Sequence, residues 1–352
     1  MKRAIFLSIL LLIGLVSVGN ADSEILKVLT TTPDLKSIIE AIGGTKVSVN
    51  SLSTGCQDPH FIEAKPGYMK QANKADLWVC IGMELEIGYE SLIIDGSRNQ
   101  RIRSGSDGYL DTSDGVFRLE VPTGKIDHSL GDVHPIGNPH YWMDPYNGRV
   151  MAHNIVERLK QLRPDDAEYF TKNYQLFIKK LDELMFGADL VGQIGGDKLW
   201  ERELTGKLDE FLTQTNDQRT TNKESRLELG GWAKKMQPYR GQKIITYHRS
   251  WSYFINRFGL VVSEELEPKP GIPPSPKHLA DVIKKVESDH VKILLMEPFY
   301  SREAPDFIAK KTNITVVEAA NSVGGEKEAT DYFAMMDNIV ARINKAFSVS
   351  AK

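Results

Sequence analysis

Between Pro164 and Phe186 the chain carries one unbroken apolar stripe, formed by Phe170, Tyr174, Phe177, Ile178, Leu181 and Leu184. Pro164 suits a first helical position, and the acidic first turn (Asp165, Asp166, Glu168) suits the positive end of a helix dipole. Twenty-three residues at about 1.5 Å each predict a rod of roughly 35 Å, long enough to run the length of a domain. A rod of this length constrains everything around it, because the chain on either side must pack against it. It predicts a backbone shared by two lobes.

Both flanks show the same alternation. Before the rod, short apolar runs at Ile25–Leu29, Val47–Leu52 and Leu77–Ile81 read as strands. Helical spacing follows at Leu35, Ile38, Ile39 and Ile42, then over 66–75 and 84–92. After it, strands are predicted at 244–247, 260–262, 291–296 and 314–317, with helices over 251–258, 276–286, 304–311 and 330–347. Alternating strand and helix predicts parallel α/β sheets, whose ligands bind beyond the carboxyl ends of the strands. The fold class expected is α/β, with two mostly parallel lobes at 22–162 and 187–352 joined by the helix at 163–186. Residues 97–121 read as loops or short hairpins. In 187–237, a possible insertion, one helix through Trp200, Leu204, Leu208 and Phe211 is expected, then a polar loop from Asn216.

Lys2 and Arg3, the apolar run Ala4–Val18 and the small residues before Asp22 predict a signal peptide over 1–21, cleaved after Ala21. The run is short for a membrane anchor, no cysteine follows it for lipid attachment, and no later segment reaches transmembrane length. The expectation is a protein of the periplasm without direct membrane insertion. A formal charge of −3 over 352 residues gives no footprint for nucleic acid. Cys56 and Cys80 remain, either as a disulfide or as two thiols.

Three of the eight histidines stand apart. His60 follows Asp58-Pro59, His140 follows Asn138-Pro139, and His248 ends the strand closed by Tyr247. Each lies at a junction that fixes the backbone, and neutral imidazole is a ligand for zinc and other late transition metals. His153, His278 and His290 have ordinary helix or strand-edge settings. No HExxH, Walker A loop, G-x-G-x-x-G or G-x-S-x-G is present, so neither catalytic nor cofactor-binding residues are assigned.

Taken together, the Thr30-Thr31-Thr32-Pro33 opening, Asp58-Pro59-His60, Ala75-Asp76-Leu77 to Gly82, Pro139-His140-Tyr141-Trp142-Met143-Asp144-Pro145, Tyr247-His248 and Glu297-Pro298 resemble the zinc and manganese solute-binding proteins of ABC-type metal uptake. That resemblance implies two lobes about a rigid helix, a metal in the cleft between them, and His60, His140 and His248 as ligands. It also implies an ABC permease in the inner membrane as partner; a monomer is expected. Where the family supplies a carboxylate, Asn321 stands here, with Glu318 nearby as an alternative. Three imidazoles without a carboxylate favour Zn²⁺ over Mn²⁺, which prefers oxygen ligands. In place of a His-rich loop there are only His128 and His134, with Asp127 and Asp132. A secreted zinc hydrolase or lyase would use the same three-histidine donor set with an open position, and a metal chaperone or adhesin would differ in partner alone.

Overall fold

A computed structural model describes residues 25–124, 134–222, 225–269 and 271–349. Strand β1 (Leu26–Thr30) is buried at all positions but one, as expected of a strand covered on both faces. Its end is turned directly into α1 (Pro33–Gly43): the Thr32 hydroxyl accepts from the Leu35 N–H, and Pro33 takes the first helical position. Leu35, Ile38, Ile39 and Ile42 are fully buried on one face.

The first lobe continues with β2 (Val47–Ser51), α2 (Pro66–Asn73), β3 (Leu77–Cys80), α3 (Glu90–Ser97) and β4 (Tyr109–Asp111). The strands lie in the order β2-β1-β3-β4 and every pair is parallel. Two sequence expectations fail here. The helix after β3 begins at Glu90, not Glu84, because Met83 and Glu84 have positive φ (53° and 66°). The buried Glu86 carboxylate holds this turn, accepting from Thr31 Oγ1 (2.7 Å), Ile81 N (2.8 Å) and Gly82 N (3.0 Å). In the segment expected to form loops or hairpins, Tyr109–Asp111 instead adds a short parallel edge strand; three residues are too few to register as a period.

Helices α4 (Pro145–Leu162) and α5 (Ala167–Phe186) follow. Residues 164–166 form a separate tight turn, so the rod is 20 residues, or about 30 Å. It packs against α1, α4 and α9 (Gly231–Met236). Between them lie α6 (Ala188–Ile194), α7 (Gly196–Leu204) and α8 (Leu208–Thr221). The single helix expected through Trp200 and Phe211 is split at Gly206, whose φ of 67° interrupts the spiral. The expected polar loop from Asn216 is helical to Thr221, and the Asn216 side chain is buried against the backbone N–H and C=O of Leu227.

The second lobe repeats the first: β5 (Lys243–Thr246), α10 (Ser252–Phe258), β6 (Val261–Glu265), α11 (Pro276–Asp289), β7 (Ile293–Met296), α12 (Glu303–Thr312), β8 (Thr315–Glu318) and α13 (Tyr332–Val349). Its parallel order, β6-β5-β7-β8, matches that of the first sheet. One continuous core runs from Leu26 to Phe347 beneath both sheets, and each sheet buries its other face in a cluster of its own. The lobes are therefore joined by shared hydrophobic packing as well as by α5.

Cys56 is exposed, Cys80 is buried, and both are free thiols. Among the described residues no helix is long and apolar enough to cross a membrane. The segment read as a signal peptide lies outside the described residues.

Candidate metal centre

His60 sits in a tight turn at Pro59–Phe61. Asp58 caps that turn: its Oδ1 accepts from the His60 N–H (3.0 Å) and from His60 Nδ1 (2.8 Å). His140 is held by the same device with an amide. Asn138 Oδ1 accepts from the His140 N–H and from Nδ1, both at 2.9 Å. The amide orientation follows from its other partners, since Asn138 Nδ2 donates to the Arg249 carbonyl (2.9 Å) and Glu120 Oε2 (3.1 Å). His248 lies just beyond β5, and its Nδ1 meets Glu267 Oε2 at 2.7 Å. In each case an acceptor occupies Nδ1, which fixes the tautomer and leaves Nε2 as the nitrogen able to bind a metal.

These three nitrogens converge. One ligand atom from each of His60, His140 and His248 lies within 4.8 Å of the others. Ring centroids are 5.0 Å apart for His60 and His140, 5.4 Å for His140 and His248, and 5.9 Å for His60 and His248. The rings come from the two lobes, and His140 and His248 are almost wholly buried.

The surroundings differ in charge. Burial, reinforced by the neighbouring imidazoles, holds His140 well below the usual histidine range. Burial acts the same way on His248, but the hydrogen bond to Glu267 and the carboxylates of Glu297, Glu267 and Asp58 outweigh it and raise its pKa. Asp58 is desolvated too, yet its bonds to His60 bring its pKa down to about 2. Glu297, fully buried behind the site, is pushed up to about 7 by desolvation. Three nitrogen donors with carboxyl groups behind them suit a late divalent transition metal.

The other residues singled out in the sequence behave differently. Glu318 is paired with Arg302 Nη1 at 2.8 Å and is not grouped with the three imidazoles. Asn321 is buried; its carbonyl accepts from Trp142 Nε1 (2.8 Å), and its side-chain Oδ1 has no hydrogen-bond partner. His153 lies beside Tyr174, His278 Nε2 meets the Glu265 carbonyl, and His290 ends α11. His128, Asp127 and Asp132 lie outside the described residues. His134, expected only as a remnant of a His-rich loop, stands with its Nε2 3.1 Å from His60 Nε2.

Sequence reasoning passed over Asp58 and Asn138 as orienting groups, although the pattern was present: Asx-Pro-His occurs twice. No local pattern marks Glu267, nineteen residues from His248, or Tyr300, whose hydroxyl donates to Asp58 Oδ2 (3.0 Å) while its ring stacks on Tyr247 (4.3 Å).

Comparison with known proteins bears on the fold and the family. The family described as ZnuA, zinc-uptake complex component A, periplasmic, matches residues 28–186 and 219–346. The manganese ABC transporter substrate-binding lipoprotein PsaA of Streptococcus mitis is 24% identical over 338 residues, covering 94% of this chain and 93% of its own. The crystal structure of ZnuA superposes with a TM-score of 0.67 at 21% identity, covering 92% of this chain and 99% of that one. A cadmium-bound periplasmic metal-binding protein from Candidatus Liberibacter asiaticus gives 0.63 at 18% identity, with 91% and 98% coverage. The fold is thus shared well beyond sequence likeness. With most of its length matched by the family pattern, the chain belongs to the ZnuA family of zinc and manganese solute-binding proteins that serve ABC-type metal uptake.

Proposed function

We propose that this chain captures Zn²⁺ outside the cytoplasm and hands it to an ABC-type permease in the membrane. The convergence of His60, His140 and His248 from two lobes carries the reading. Nitrogen donors of this kind favour zinc, whereas Mn²⁺ prefers oxygen ligands. Relatives are named for manganese and for zinc uptake, so the preference for zinc rests on the donor set of this chain. Export through a leader cleaved after Ala21 belongs to the same reading. The family consists of binding proteins for transport and not of enzymes, which removes the hydrolase and lyase expectation.

Calorimetric titration with Zn²⁺ tests it. His60→Ala, His140→Ala and His248→Ala should each weaken binding more than the roughly 10- to 100-fold that loss of an orienting group costs at metal sites. Undiminished affinity in these variants would end the proposal. Far-ultraviolet circular dichroism should be unchanged, since the core lies elsewhere.

A further inference from the structure

Three imidazoles leave one corner of a tetrahedral zinc site to be filled. Among the described residues, no carboxylate or thiol joins the three rings within 4.8 Å. The nearest acids are otherwise engaged: Asp58 with His60 Nδ1 and the Tyr300 hydroxyl, Glu267 with His248 Nδ1.

A fourth imidazole stands beside the three. His134 Nε2 lies 3.1 Å from His60 Nε2, and the ring centroids are 5.2 Å apart, close to the 5.0 Å between His60 and His140. Metal–nitrogen bonds of about 2.0–2.1 Å in a tetrahedron set nitrogens roughly 3.3 Å apart, so the observed spacing is close to one edge of such a site. The backbone bearing His134 is anchored. Gly137 N donates to the His134 carbonyl (3.2 Å), Asn138 N donates to the Leu119 carbonyl (2.9 Å), and Gly137 has φ of 110° with Leu119 O only 2.8 Å from where a Cβ would stand. A side chain there would both strain the turn and collide, which fixes how far His134 lies from His140.

We propose that His134 is a fourth ligand to the transported metal, completing a four-nitrogen site that selects zinc over manganese; this rests on the function proposed above. His134 is only partly buried and is not in the group whose ligand atoms lie within 4.8 Å of one another, so its side chain must rotate inward from its contact with His60. Since Asp58 holds the proton on His60 Nδ1, the proton in the His60–His134 contact sits on His134 Nε2. Coordination therefore requires that proton to move to Nδ1 of the same ring, with no change in net charge.

The test uses the full chain and His134→Ala, titrated with Zn²⁺ and Mn²⁺ and loaded with Co²⁺ as a visible-absorption probe. Replacing one nitrogen by water should shift the cobalt ligand-field bands, weaken zinc binding by at least the roughly 10- to 100-fold that loss of an orienting group costs, and narrow the preference over manganese. His134→Cys, which restores a zinc ligand, should recover much of the affinity. An unchanged cobalt spectrum with unchanged zinc affinity in His134→Ala would overturn the fourth ligand. If that result accompanies loss of binding in His140→Ala, only this inference fails; if the unaltered chain binds none of the three metals, the functional reading fails with it.

Discussion

The two lobes have the same strand order but hold their histidines by different means. In the second lobe His248 sits at the end of the central strand β5, and its orienting Glu267 follows the adjacent β6, so histidine and support belong to one sheet. In the first lobe the equivalent strand end, at β1, carries threonines, and both histidines are on loops. Their supports reach across the cleft: Tyr300 donates to Asp58, while Asn138 is fixed by the Arg249 carbonyl and by the Tyr253 hydroxyl (2.8 Å). The difference teaches that the second lobe orients its histidine from within, whereas the groups that orient the first lobe's pair are themselves braced by the second.

Buried carboxylates show the same asymmetry. Glu86 after β3 and Glu297 after β7 each accept from a hydroxyl near the end of the central strand of their lobe, Thr31 and Ser250. Both are raised by desolvation, to about 8 and about 7. Glu86 is satisfied on both oxygens and holds a turn, while Glu297 Oε2 has no hydrogen-bond partner and its charge faces His248.

Breaking the docking should have the largest effect. Arg257 of α10 forms a two-pronged ion pair with Asp144, the cap of α4 in the first lobe, at 2.8 Å on both arms and almost fully buried. Arg257→Ala strands a buried carboxylate and should cost about 3–5 kcal/mol in urea unfolding. A loss confined to one lobe, with the other still melting as before, would break the comparison.

Next is the bond from the second lobe to Asp34, which accepts from Val323 N (2.9 Å) and Ser322 Oγ. Burial raises its pKa from 3.8 to about 6, so folding takes up a proton. Stability from this group is therefore full below pH 3.8 and falls as pH rises to about 6, by about 3 kcal/mol at most. Asp34→Asn keeps a donor and an acceptor there and should flatten that decline. A wild-type profile equally flat between those values would refute the account.

The smallest effects sharpen the contrast between supports. Glu267→Gln should weaken zinc binding by about 10- to 100-fold through His248. Tyr300→Phe, which removes one hydrogen bond worth about 1 kcal/mol, should weaken it by about fivefold. Calorimetry decides, and a larger loss from Tyr300→Phe would reverse the assignment of which lobe depends on the other.

The sequence by itself determined the parallel α/β class, the central helix and the three histidines. Each of these rests on short-range regularities: apolar periodicity for β1, α1 and α5, the Asx-Pro-His pattern for His60 and His140, and a place just beyond an apolar strand for His248. The start of α3, the break at Gly206 and the short β4 were illegible, because a buried carboxylate, a single left-handed residue and a sheet edge override local preference. Only the tertiary structure decided that Glu267 supports His248, that Glu318 turns to Arg302 and that His134 approaches His60. Those pairings join residues 16 to 74 positions apart, and their distances are set by how strands, helices and loops pack within each lobe, a quantity no local pattern encodes.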